Sequence, residues 1–135
     1  GGKFMLKGIQ SVEDAKLAAE LGCSGIILSN HGGRQLDGAP AALDLLPEVV
    51  SAVGQKTEVL IDGGIQRGSD VVKAMALGAK GVLIGRAYLY GLAAGGEPGV
   101  ARAIEILTNE TKRVMQLIGC RSISELDGSY VRRHV

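Results

Sequence analysis

One segment of this chain occurs twice, and that repeat restricts the folds open to it. KGIQSVEDAKLAAELGCSGIILSN, from Lys7, lies over GGIQRGSDVVKAMALGAKGVLIGR, from Gly63, at a constant offset of 56 residues. Gly8 falls on Gly64, Ile9 on Ile65, Gln10 on Gln66, Asp14 on Asp70, Ala18 on Ala74, Leu21 on Leu77, Gly22 on Gly78 and Gly25 on Gly81. Hydrophobic patterning alone does not place glycine, aspartate and glutamine in common register. The match therefore marks a duplicated supersecondary unit.

Each copy reads as strand, loop, helix, strand. Phe4-Met5-Leu6 and Val59-Leu60-Ile61 are apolar runs of strand length. Ser11 and Ser69 are the expected helix caps, with acidic residues just inside the first turn. Helices are predicted over Val12–Leu21 and Ser69–Leu77, and Gly22 and Gly78 stand where a left-handed C-terminal cap belongs. Strands follow at Gly25–Ser29 and Gly81–Ile84. Another helix is expected at Ala39–Val53, with a kink or break at Pro47. A last one is expected at Val100–Ile118, after which Gly119 opens a polar tail.

The order is βαβαβαβα, which implies a parallel sheet with crossover helices. A doubly wound sheet competes with a (βα)8 TIM barrel, which needs eight such units in roughly 250 residues. Four units in 135 residues are half of that barrel. The expected fold is therefore α/β, a single domain over residues 1–135 covering about the last four βα units of a TIM barrel. Residues 119–135 form its tail. A small four-stranded α/β sandwich is the plainer alternative. The opening Gly-Gly-Lys-Phe reads as a cut through a larger protein, or Gly1-Gly2 as a cloning remnant.

Composition agrees with this architecture. Apolar residues make up 46% of the chain and aromatics only 3%, so the core must be aliphatic, as in buried parallel strands. A net charge of +1 without a long basic run gives no reason to expect nucleic acid. Cys23 and Cys120 lie far apart and fit free thiols in a reducing, cytoplasmic compartment. No stretch has the length of a membrane span.

In either α/β fold, chemistry sits at the C-terminal strand ends. The unusual polar residues all fall there: Lys7-Gly8, then Ser29-Asn30-His31-Gly32-Gly33-Arg34, then Asp62-Gly63-Gly64, then Gly85-Arg86. Singly, each has a bland explanation. A lysine at a strand end is a solvated rim residue, a histidine is structural, Asp-Gly-Gly is a turn, and Gly-Arg is a helix entrance. Together, on one rim, they point to a site.

The glycines at 63, 64 and 85 let backbone N–H groups approach an anion, and Arg67 and Arg86 add full charges. A barrel's recurrent phosphate site uses the loops after its last two strands, so a phosphorylated cofactor or substrate is expected. One histidine and one aspartate do not make a metal site. Arg34 suits a carboxylate and His31 suits proton transfer near neutral pH. Asp62 is placed to orient the His31 imidazole. The expected substrate has a carboxylate beside an oxidisable or ionisable centre.

SNHGGRQLDG, followed downstream by DGGIQRGSDVVKAMALGAKGVLIGRAYLYG and the tail GCRSISEL, resembles the FMN-dependent 2-hydroxy acid oxidases and dehydrogenases. That family includes glycolate oxidase, flavin-type L-lactate dehydrogenase and mandelate dehydrogenase. The resemblance implies a TIM barrel, here its second half, and FMN as cofactor. It implies catalytic roles for His31, Asp62 and Lys7, with Lys7 by the flavin N1–C2=O edge. His31 would take the substrate hydroxyl proton as hydride passes to flavin N5, or, in the carbanion version, the C2 proton. Arg34 and His31 would bind the substrate, Arg34 through its carboxylate. Lys7, Ser29, Asp62, Gly63, Gly64, Gln66, Arg67, Gly85 and Arg86 are the implied FMN-binding set. Gln66-Arg67 departs from the family's Arg-Arg, whose first member is the usual phosphate contact, and leaves Arg67 as the replacement. The family's first barrel half, with its active-site tyrosines, is absent from this sequence.

The resemblance implies a small 2-hydroxy acid as substrate and oxygen, a quinone or a cytochrome as electron acceptor. A homo-oligomer is expected, and peripheral attachment to the inner membrane is an option for a longer parent. A half-barrel that binds phosphate or FMN and self-associates without catalysis is the competing reading. Four open strands leave edges that dimerisation would cover. A nucleotide dehydrogenase on the same barrel is a third reading, which HGGR argues against.

Overall fold

Four parallel strands lie in one sheet in chain order, β1-β2-β3-β4. They are β1 (Met5–Ile9), β2 (Gly25–Leu28), β3 (Glu58–Asp62) and β4 (Gly81–Leu83), alternating with α1 (Val12–Glu20), α2 (Ala42–Val53), α3 (Gly68–Ala76) and α4 (Arg86–Leu117). The computed structural model describes residues 2–132. A doubly wound sheet would reverse its strand order at a switch point. Here each strand pairs with the next, which is the order of a barrel wall.

The two faces of the sheet differ. Ile26, Leu28, Val59 and Ile61 are fully buried against Ala15 and Ala18 of α1 and Leu46 and Val49 of α2. Strand periodicity sends the alternate residues, Ile27 and Leu60, to the opposite face. They are register partners, and Lys7 pairs with Ile27 in the same row. That face is only half-buried at Ile27 and Leu60, while Met5 on the same face is exposed. It corresponds to a barrel interior, and the molecule is half of a TIM-barrel wall.

The repeat is carried into the backbone. Helix α1 spans residues 12–20 and α3 spans 68–76, the offset of 56 found in the sequence. Gly8 and Gly64 both have positive φ (95° and 77°).

Several boundaries differ from expectation. Strand β1 runs on to buried Ile9 instead of ending at Lys7-Gly8, because a register irregularity between Lys7 and Ile9 absorbs Gly8. Helix α3 is capped at Arg67, not Ser69: the Asp70 carboxylate accepts from Gln66 N (3.0 Å) and Arg67 N (2.9 Å), so the helix starts before Ser69. Helix α2 begins at Ala42 rather than Ala39 and continues through Pro47, held by fully buried Leu46 and Val49 on either side.

The last helix begins at Arg86, not Val100, and bends at Gly95 (φ −157°) and Gly96 (φ 61°), just before Pro98. Gly91 and Gly99 then touch across the bend, where a Cβ on either would strike the other's carbonyl. Val72 of α3 and Met115 of α4 form a second small cluster with Cys120. The tail has short 3-10 turns at Ile123–Glu125 and Gly128–Tyr130, and its residues 133–135 lie outside the described ones. Cys23 and Cys120 are buried free thiols. No helix among the described residues is long and apolar enough to cross a membrane.

Helices α3 and α4 meet closely at Gly68, where a Cβ would collide with the backbone of Glu110 and Thr111. Gly68→Ala is expected to cost about 1–3 kcal/mol by overpacking. Urea denaturation followed by circular dichroism measures this, and an unchanged midpoint would show that the contact is slack.

Candidate active site

The sheet register assembles the site. Ser29 follows Ile27 by two residues and Asp62 follows Leu60 by two, so both lie on the same inner face as Lys7, one row beyond it. The Ser29 hydroxyl, 2% exposed, joins them. It donates to Asp62 Oδ1 at 2.5 Å and accepts from Lys7 Nζ at 3.0 Å and from the His31 backbone N–H at 3.1 Å. One donor and two acceptors exhaust a hydroxyl's capacity. Lys7 Nζ also pairs with Asp62 Oδ2 at 2.6 Å.

This corrects the expected Asp62–imidazole pair. Both Asp62 oxygens are engaged by Ser29 and Lys7, and Asp62 reaches His31 only through Ser29 and the main chain. In this arrangement Asp62 supports the His31 loop through Ser29.

The His31 loop needs fixing. His31 has φ 55°, the one positive φ at a non-glycine residue among those described, and Gly32 and Gly33 follow at 70° and 71°. Such a conformation costs on the order of 1–3 kcal/mol and persists only when its surroundings hold it. Ser29 takes the His31 N–H, and Asn30 Oδ1 takes the Gly32 N–H at 3.0 Å. Asn30 Nδ2 donates in turn to Pro40 O at 3.2 Å. The His31 and Arg34 side chains are left exposed at the rim.

One cleft of about 360 Å³ is lined by Lys7, His31, Arg34, Asp62, Gly63, Gly64, Gln66, Gly85 and Arg86. Ser29 lies beneath it as the buried hub. Arg67 does not line it, because its Nε donates to Glu110 Oε2 at 3.1 Å. Arg86 reaches Gly32 O at 3.4 Å, joining the β2 and β4 loops.

Sequence reasoning named Asn30 at the strand end without a role and missed Glu110 and the apolar wall of Leu83, Ile84, Tyr88 and Leu89. Asn30 was legible as a turn former before two glycines. Tyr88 and Leu89 were hidden because the first turns of α4 read as loop, while Leu83 and Ile84 read only as strand. Nothing local marks Glu110.

The donor set of the cleft suits a phosphate. A Cβ at Gly64 or Gly85 would meet no atom within 4 Å, so an anion can approach the bare backbone there. Helix α4 starts at the same place, with Gly85 as its N-cap and Arg86 in its first turn. The first N–H groups of a helix lack intrahelical partners and favour an anion. Asp62, the carboxylate nearby, is already compensated by Lys7.

Comparison with known proteins now decides the family. The model described as FMN-dependent dehydrogenase matches residues 1–133. The chain belongs to this family. It is similar to an L-lactate oxidase of Nostoc sp. (54% identical over 128 residues, 95% of this chain and 35% of that protein). It is also similar to a pre-mycofactocin synthase of Mycobacterium tuberculosis (55% over 126 residues, 93% and 32%). The solved structure of (S)-mandelate dehydrogenase, described as a monotopic membrane protein, superposes with a TM-score of 0.95 at 47% identity, covering 99% of this chain and 35% of that one. The chain thus spans about a third of the length of such relatives.

Ser29 is the shared partner of Lys7, Asp62 and the His31 loop. Ser29→Ala strips Asp62 and the His31 N–H of a buried partner and is expected to destabilise the chain by about 1–3 kcal/mol. Urea titration reads the loss, and amide shifts of residues 30–34 should move with it. A neutral substitution would show that Lys7 and Asp62 hold the rim alone.

Proposed function

We propose that this chain is the C-terminal half of an FMN-dependent barrel that oxidises a small L-2-hydroxy acid to the 2-oxo acid. The observation that carries the reading is the single cleft shared by His31, Arg34 and Lys7 on one side and Gly64, Gly85 and Arg86 on the other. It offers a base, a carboxylate grip and an anion cradle at once. Family membership and relatives named as hydroxy acid or lactate enzymes support the same reading.

FMN bound in the cleft supplies the hydride acceptor. Gly63, Gly64, Gly85 and Arg86 hold its phosphate through main-chain N–H groups and one guanidinium. Lys7 stands at the inner end with its positive charge held between Ser29 and Asp62, suited to compensate negative charge on a ring nearby. Arg34 takes the substrate carboxylate in a bidentate grip. His31 accepts the hydroxyl proton at its imidazole, which is presented to the cleft by a left-handed loop whose backbone the Ser29–Asp62 pair holds. Electrons leave to oxygen, a quinone or a cytochrome.

The relatives carry different substrate names, so the acid is not selected by similarity. A cytoplasmic location, peripheral membrane attachment and a homo-oligomer belong to the same proposal. Attachment draws its support from the monotopic relative.

The test is spectroscopic. The full chain is reconstituted with FMN and mixed anaerobically with lactate, glycolate or mandelate. Bound yellow flavin that bleaches is the expected result. His31→Gln should abolish bleaching and leave FMN affinity within about threefold, and loss of both together would defeat its role as base. Bound flavin that never bleaches would favour the non-catalytic half-barrel. Gly85→Ala should leave stability within about 0.5 kcal/mol, since its Cβ meets open space. It should nonetheless weaken FMN binding by filling the cradle.

A further inference from the structure

The loop from β3 to α3 carries two adjacent polar side chains, Gln66 and Arg67, and only one faces the cleft. Gln66 lines it beside Gly64, Gly85 and Arg86. Arg67 is turned away by Glu110, whose Oε2 accepts from Arg67 Nε at 3.1 Å and from Gly68 N at 2.9 Å.

The repeat explains why Glu110 is needed. Position 67 corresponds to Ser11, whose hydroxyl accepts from Asp14 N at 3.0 Å and caps α1. An arginine side chain has no acceptor. The start of α3 must find its acceptors elsewhere. Asp70 takes the N–H groups of Gln66 and Arg67, and Glu110, from α4, takes that of Gly68. The Gly68 N–H first, and the Arg67 side chain second, hold the Glu110 carboxyl below the usual carboxylate range. Glu110 thus meets the α3 terminus as an anion and binds the Arg67 cation in the same step.

We propose that Gln66, a neutral amide, is the side chain by which this loop meets the cofactor phosphate, and that Glu110 is a positioning residue that keeps Arg67 off it. The proposal rests on the phosphate reading given above. Of the two strand-end loops around the anion, only the β4–α4 loop then brings a full charge, through Arg86. A neutral contact is less sensitive to salt than a guanidinium. Phosphate recognition in this chain therefore depends more on backbone geometry than on charge.

Calorimetric titration of the full chain with FMN and with riboflavin, which lacks the phosphate, tests this at several salt concentrations. Gln66→Ala should weaken FMN about tenfold and leave riboflavin unchanged. Gln66→Arg should tighten FMN and steepen its salt dependence. Arg67→Gln should change FMN affinity less than about twofold at every salt concentration. Glu110→Gln keeps an acceptor for Gly68 N but frees Arg67, so it should steepen the salt dependence, an effect erased in the double variant with Arg67→Gln. Selective loss of FMN affinity in Arg67→Gln, or none in Gln66→Ala, would overturn the assignment. Binding of FMN no tighter than riboflavin by the wild-type chain would instead defeat the phosphate reading, and the proposal with it.

Discussion

The buried hydroxyl of Ser29 is the interaction on which the rim depends. It sits at the end of β2, between the lysine of β1 and the aspartate of β3, and beneath the histidine loop. The Lys7–Asp62 ion pair is partly exposed, and such a pair alone contributes about 1 kcal/mol or less. A fully satisfied network away from water is stronger and fixes geometry as well as energy. Ser29 converts a flexible ion pair into a fixed platform. The left-handed turn at His31 is then built on that platform through one main-chain bond.

The duplicated unit places two different functions at equivalent points. At the offset of 56, Ser29 corresponds to Gly85 and Asn30 to Arg86. In the first copy the strand end carries a buried hydroxyl and a turn-forming amide, which hold the His31 loop. In the second it carries bare backbone at a helix N-terminus and a guanidinium, which suit an anion. Arg86 then reaches back to Gly32 O and ties one copy's loop to the other's. The copies diverge further along the same loops, where His31 stands against Ala87 and Arg34 against Tyr90.

The parts legible in the sequence are those set by local chemistry and by the repeat. The parallel order, the helix spacing and the gathering of His31, Arg34, Asp62, Lys7, Gly64 and Arg86 on one rim follow from strand ends and a constant offset. The parts that were not legible are set by partners distant in the chain. Taken strictly, the offset placed Arg67 at the cap position of Ser11, yet propensity favoured Ser69. What decides it is Glu110, 42 residues beyond Gly68, which no local pattern announces. Asp62 was matched to the His31 ring because histidine and aspartate form a familiar pair. Lys7 and Ser29 compete for the same carboxylate, and the register of three strands puts them nearer. The glycine-rich start of α4 read as a loop because Gly95, Gly96 and Pro98 do break the helix, only later than expected.

Helix α4 accordingly does more than pack against α3. Its first turn, at Gly85-Arg86, supplies the N-terminus and the charge that face the anion cradle. It then turns at Gly95-Gly96, helped by the backbone contact of Gly91 with Gly99, and runs back past α3. There Glu110 caps the α3 terminus and takes Arg67 with it. One bent helix therefore shapes both loops at this end of the cleft, the first directly and the second by capping its neighbour. The bend requires glycine at positions 91 and 99, and the docking requires it at position 68, where in each case a Cβ would meet backbone. The charge presented at the anchoring end of the cleft is thus set by how closely two helices can approach outside it.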